Sequence, residues 1–270
     1  MFNVLAGSAN QSAKKISFFA LAALPFMILP FVIVSNSLDA EARHTAPAAF
    51  MREGYAAHSL LGQPAEEERM LRHARVGYGI SVVRAVREMG LVLDHFDMWM
   101  EEHPGSALAR IRFMPPSMQR NVASTALFIR KTNPKIDAKT AWREAAAFVH
   151  YSAKYGVPSA LSTAVAKAES TFNPDAVSPK GASGVMQVMW KVHSGLLSSN
   201  GIHASSGANP LSDPEKAIAA GCLLLSRYLR AYGSLNLAMN RYSGGASASY
   251  LRTVNRNIAS IMNHQAELVK

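Results

Sequence analysis

With 270 residues, 49% of them hydrophobic, the chain can bury a substantial core, which excludes global disorder. A net charge of +10 keeps such a protein soluble and suits an anionic partner: nucleic acid, anionic lipid or a polyanionic wall polymer. Cys222 is the single cysteine, so an intrachain disulfide is excluded, and its apolar context reads as core.

The first element in chain order fixes the compartment. Lys14 and Lys15 precede an uncharged apolar run from Ile16 to Val34. This is the basic and apolar pattern of an export signal, and Ala40–Ala42 offers small residues for cleavage. A helix over the same run would reach about 28 Å, so a membrane anchor is the second reading, although Pro25 and Pro30 would interrupt it. Residues 1–42 are therefore a signal peptide or N-terminal membrane anchor, and the chain from about residue 43 lies outside the cytoplasm. Without residues 1–42 (two Lys, one Asp, one Glu) the charge is still +10. Export removes nucleic acid from the expected partners.

Residues 43–135 read as a helical extension without chemistry of its own. After a linker, Glu66–Met89 has irregular helical spacing that Gly77 and Gly79 weaken or break. Leu91–Glu102 reads as a short helix, and Ser117 as the cap of a helix reaching about Lys131. The pattern becomes denser from Asp137, a plausible N-cap ahead of apolar residues at 141, 142, 145, 148 and 149. Pro158 suits a first helical turn, and Ala160, Leu161, Ala164, Val165 and Ala168 share a face of the next helix. Asp213–Pro214 opens a helix to about Tyr232, and a final pair spans Leu235–Tyr242 and roughly 248–263. A short hairpin fits between Val177 and Val188. The fold class is mainly α, with residues 136–270 as a second domain after the extension.

Glu169 ends its helix beside the buried stripe. Both the negative end of the helix dipole and partial burial raise the pKa of a carboxyl there, as a general acid near neutral pH requires. A surface glutamate at a fraying helix end has the same pattern. Asp175 reads as a solvated loop residue, Asp213 as a helix N-cap, and Glu215 as a first-turn carboxylate.

The stretch "ESTFNPDAVSPKGASGVMQVM" adds more. Glu169, Ser170, Phe172, Ser178, Gly181, Ala182, Gly184, Met186 and Gln187 resemble the motif of lytic transglycosylases of the soluble-transglycosylase (SLT) type, which are similar to goose-type lysozymes. "LSDPEKAIAAGCLLLSRYL", with Gly221, is similar to the family's next block. "AMNRYSGG" resembles its Ala-x-x-Tyr-Asn-x-Gly block, with Tyr242 at the tyrosine. Val185 replaces the commoner leucine, and Ser243 stands where the family usually has asparagine. The resemblance covers roughly Asp137–Met262.

The resemblance implies a lysozyme-like domain and a single catalytic carboxyl, Glu169. That group would protonate the oxygen between N-acetylmuramic acid and N-acetylglucosamine, then deprotonate the muramoyl 6-hydroxyl as a 1,6-anhydro ring closes. It implies Ser178, Met186, Gln187 and Tyr242 as substrate contacts, with no metal or cofactor. Met186 could equally be core, and Tyr242 could turn its hydroxyl to Glu169, the substrate or a backbone carbonyl. The expected partner is the peptidoglycan glycan strand, in the periplasm or envelope. Inner-membrane contact through residues 16–34 and association with envelope-spanning machinery are further expectations. Two other functions stay open: a hydrolytic goose-type muramidase helped by a carboxylate such as Asp175, and a non-catalytic wall-binding assembly protein.

Overall fold

Gly77 takes φ 103° and Gly79 is extended, so regular helix starts only at Ile80. The computed structural model describes residues 77–207, 209–245 and 248–267, all within one compact unit, Leu61–Lys270. The expected signal peptide or anchor at 1–42 and the expected linker after it lie outside the described residues. Among those described, no helix is long and apolar enough to cross a membrane.

Helix α1 (Ile80–Glu88) and α2 (Leu93–Glu102) lead into a 3₁₀ turn, Leu108–Phe113. In α3 (Pro116–Thr132) Ser117 lies inside the first turn and does not cap it. Pro116 takes N1, where its fixed φ and missing N–H cost nothing. Asp137 does cap α4 (Ala138–Tyr155): Oδ1 accepts from the Thr140 N–H at 2.9 Å. Gly156 ends α4 with φ 67°. Helix α5 (Ser159–Glu169) follows Pro158.

A two-stranded antiparallel pair comes next, β1 (Ala182–Ser183) with β2 (Val188–Met189), Ala182 opposite Met189. Val177 also bridges Ser183, so the expected hairpin exists but doubles back twice. Helix α6 (Trp190–Ser199) was not legible in the sequence. Its serines, Gly195 and Val192 are weak helix formers, and Leu197 is its one buried residue. Asp213 caps α7 (Pro214–Tyr232), accepting from the Lys216 N–H at 3.0 Å and from Arg143 at 2.8 Å. Helices α8 (Leu235–Tyr242) and α9 (Ala248–Glu267) complete a mainly α fold.

One buried cluster runs from Tyr78 to Ile261. Phe96 of α2 meets Trp142 of α4 edge-on, with centroids 4.9 Å apart. Glu215 Oε1, at the start of α7, accepts from the Ala107 N–H at 2.7 Å and from Tyr151 Oη at 3.1 Å. That carboxylate therefore does more than face a helix dipole: it fastens the 3₁₀ turn to α4 and α7. Residues on both sides of 135/136 build this core.

Glu144 on α4 is fully buried, and neither carboxylate oxygen has a hydrogen-bond partner among the described residues. Burial, then the charge of Asp137, hold its carboxyl well above the usual range, against the opposing pull of Arg143. The folded chain thus binds a proton here that the unfolded chain releases above its ordinary pKa. Stability from this site is intact below that value and falls as pH rises toward the folded pKa. Glu144→Met should be about 1–3 kcal/mol more stable than the parent at pH 7. Denaturant melts should show the gain shrinking toward pH 4.

Candidate active site

Helix α5 ends at Glu169 because the next residues turn out of helical space. Ser170 has φ −136°, and Thr171 and Phe172 follow at φ 53° and 62°. A left-handed bulky residue is strained and persists only where its surroundings hold it. Phe172 is fully buried, edge-on to Phe128 at 6.3 Å and to Phe148 at 6.2 Å. Asn133 Nδ2 donates to the Thr171 carbonyl at 3.1 Å. The aromatic anchor beneath and the amide beside it fix where Glu169 stops.

Ser170 joins this helix end to the second half of the motif. Its Oγ donates to the Val185 carbonyl at 2.7 Å and accepts from the Asn173 N–H at 3.1 Å. The turn it grips, Gly184–Gln187, is pressed onto α7. A Cβ on Gly184, whose φ is 74°, would lie 2.3 Å from the Leu211 carbonyl oxygen and 2.9 Å from the Ala217 Cβ. A Cβ on Gly221 would come within 2.5 Å of the Met186 Cε and 2.7 Å of its Cβ. Only glycine fits at either place.

The expected site residues divide by what they touch. The Met186 side chain is fully buried against Gly221, so of its two readings the core is where it sits. Gln187 is half-buried with φ 47°, and its Nε2 donates to the carbonyls of Ala176 at 2.9 Å and Gly184 at 3.0 Å. Ser178 Oγ accepts from the Ala182 N–H at 3.0 Å and shapes the same hairpin. Tyr242 turns its hydroxyl to the Met186 carbonyl, at 2.8 Å, rather than to Glu169. It still lies close enough for Glu169 to raise its pKa, after the larger effect of burial. Ser243 Oγ bonds back to the carbonyls of Met239 and Asn240 inside its own helix end.

Glu169 itself is half-buried. Its partner is Tyr250, whose hydroxyl donates to Oε1 at 2.5 Å. Tyr250 was not singled out in the sequence, since nothing in "GGASASYLRT" announces chemistry. It reaches the site because α9 packs antiparallel to α5: Asn257 Nδ2 donates to the Ala164 carbonyl at 3.1 Å, and Tyr250, two turns earlier, meets Glu169. Burial raises the Glu169 pKa, and the Tyr250 hydrogen bond partly offsets it. Burial and the neighbouring carboxyl raise the Tyr250 hydroxyl in turn. Asp175 is exposed, and its own N–H is held by Asn173. Cys222 is buried, with its thiol pushed up to about 12, and plays no nucleophilic part.

Residues 146–263 match the family model of the Transglycosylase SLT domain. This segment is an SLT domain. Membrane-bound lytic murein transglycosylase C of Edwardsiella ictaluri (strain 93-146) is 33% identical over 120 residues, which is 42% of this chain and 33% of that protein. The chain thus matches about a third of that relative's length. The 70 kDa soluble lytic transglycosylase SLT70 from Escherichia coli aligns with 83% of this chain and 39% of its own, at 18% identity. The TM-score of that alignment is 0.34. Within the matched segment Tyr250 and Tyr242 lie near Glu169, and Gln187 belongs to the turn whose Val185 carbonyl holds Ser170.

Two outcomes check this geometry. Gly221→Ala gains helix propensity, yet it drives a methyl into Met186 and should cost about 1–3 kcal/mol in chemical denaturation. Tyr250→Phe removes the donor that favours the ionised carboxyl, so the Glu169 pKa should rise further. Carboxyl-carbon NMR titration would read that shift directly.

Proposed function

We propose that this chain cleaves the bond between N-acetylmuramic acid and N-acetylglucosamine in peptidoglycan, leaving 1,6-anhydromuramoyl ends. The observation that carries the reading is Glu169: a half-buried carboxyl, raised in pKa, whose one hydrogen bond among the described residues comes from Tyr250. Protonated, it gives its proton to the glycosidic oxygen as the C1–O bond breaks. The carboxylate left behind accepts the Tyr250 hydrogen bond. It then takes the proton of the muramoyl 6-hydroxyl while O6 bonds to C1. The proton returns to Glu169, and no water is consumed.

A hydrolytic enzyme with two carboxylates would need a partner across the bond. Asp175 is exposed and does not contribute to the Glu169 pKa shift, and Glu215 is committed to Ala107 and Tyr151. This favours the internal 6-hydroxyl over water. Gln187 is the motif residue best suited to touch the sugar, because its Nε2 is occupied while its Oε1 has no partner among the described residues. Ser178, Met186 and Tyr242 would support that wall from behind. The matched relative's name and the basic run before Ile16 support a place in the cell envelope, with contact to the inner membrane through residues 16–34.

Glu169→Gln should lower turnover of purified peptidoglycan about 10²–10⁴-fold while sparing binding. Asp175→Asn should stay close to the parent. Mass spectrometry should find products one water lighter than those of a muramidase. Reducing ends, or equal losses in the two variants, would overturn the single-carboxyl route.

A further inference from the structure

The end of α3 meets the chain on both sides of Glu169. Phe128, buried on α3, carries Lys167 Nζ over its ring at 4.9 Å from the centroid. The same ring lies edge-on to Phe172 at 6.3 Å. Lys167 stands two residues before Glu169, and Phe172 three residues after it. The C-cap residue of α3, Asn133, donates from Nδ2 to the Thr171 carbonyl at 3.1 Å. Phe128 has a third neighbour in the His264 ring of α9, 5.6 Å away. Helix α9 also carries Tyr250, the hydrogen-bond partner of Glu169. Phe128 thus touches both helices whose packing brings the acid and its hydroxyl together.

The Asn133 bond acts on a defined piece of backbone. Thr171 and Phe172 have φ of 53° and 62°, and a bulky residue leaves that region unless something holds it. The peptide plane between the two carries the Thr171 carbonyl. Asn133 holds this plane at one end, and the buried Phe172 side chain holds it at the other. The Thr171 N–H reaches back to the Lys167 carbonyl at 3.3 Å and closes the turn that contains Glu169. Asn133 is itself set in place: Oδ1 accepts from the Lys135 N–H at 3.2 Å, and its own N–H donates to the Ile129 carbonyl at 2.8 Å. Its amide oxygen is turned to Lys135 and its NH2 group to Thr171. Both residues stand ahead of the matched segment 146–263.

Resting on the glycan-cleaving reading, we propose that Phe128 and Asn133 are positioning residues for that reaction: they hold the end of α5 so that the Glu169 carboxyl presents one geometry to the glycosidic oxygen and to Tyr250. They act through Lys167, Thr171 and Phe172 and not on the substrate. Their contribution is therefore to the rate of the step rather than to binding, since displacing a reacting group by about 1 Å forfeits the alignment that proton transfer needs.

The test measures kcat and KM of the full-length protein on soluble peptidoglycan fragments, with rates scaled to the folded fraction given by near-ultraviolet circular dichroism. Asn133→Ala should lower kcat about tenfold and leave KM near the parent's. Asn133→Asp keeps the acceptor for the Lys135 N–H but lacks the donor to Thr171, so it should lose as much. Phe128→Leu, which keeps an apolar filler and removes the ring, should lower kcat as well. Arg120→Ala, an exposed change on the same helix, should leave both constants at the parent's values. Parent kcat in Asn133→Ala, a loss confined to KM, or a loss that Asn133→Asp does not share would overturn the proposal. Carboxyl-carbon NMR gives a readout that needs no turnover. With the end of α5 released, Glu169 gains exposure and its pKa should fall toward the ordinary carboxylate range, since burial is what raises it. An unchanged Glu169 titration in Asn133→Ala would equally overturn the proposal. Absence of anhydro products from the parent would count against the cleavage reading alone, because the titration still measures the positioning.

Discussion

The contact between the Gly184–Gln187 turn and helix α7 is the constraint on which the site depends. At Gly184 and Gly221 the backbone of one element meets the backbone or side chain of the other with no room for a Cβ. Close approach lets Met186 fill the space over Gly221 and puts its carbonyl where Tyr242 can donate to it. It also brings the Val185 carbonyl to Ser170, one residue beyond Glu169. The end of α5, the motif turn, α7 and α8 are thereby tied together by two hydrogen bonds and a steric fit.

Strain is concentrated in the same place. Among the described residues the non-glycine positions with positive φ are Thr171, Phe172 and Gln187. Each lies within three residues of either Glu169 or Gly184. Left-handed backbone at such side chains costs about 1–3 kcal/mol apiece, which packing elsewhere must offset. Phe172, held by Phe128 of α3 and Phe148 of α4, shows where the offset comes from. The helix before the motif-bearing segment is thus part of what holds the carboxyl in place, which gives residues before 136 a structural reason to be there.

The electrostatics follow from what is missing near the carboxyl as much as from what is present. Glu169 has a hydroxyl partner, and no cation contributes to its pKa shift. Burial therefore decides its protonation, and the Tyr250 bond moderates the result. A guanidinium at that distance would have lowered the pKa and removed the acid.

Much of this was legible in the sequence because it is set by local chemistry. Asp137 and Asp213 were readable as caps, and Glu169 as the last helical residue, since each depends on neighbours within a turn or two. The motif blocks pointed to the SLT domain that residues 146–263 match. Helix α6 was not readable, because weak formers become helical there under tertiary packing, and propensity is only a weak prior. Tyr250 was not readable either: its bond to Glu169 spans 81 positions and depends on the antiparallel packing of α9 on α5. The sequence by itself determined where the capped helices α4 and α7 start, where α5 stops and which carboxyl could be an acid. Only the tertiary structure decided what that carboxyl bonds to, that Met186 is core and that Tyr242 braces a carbonyl, because contacts between distant segments are set by how helix faces pack and not by local spacing.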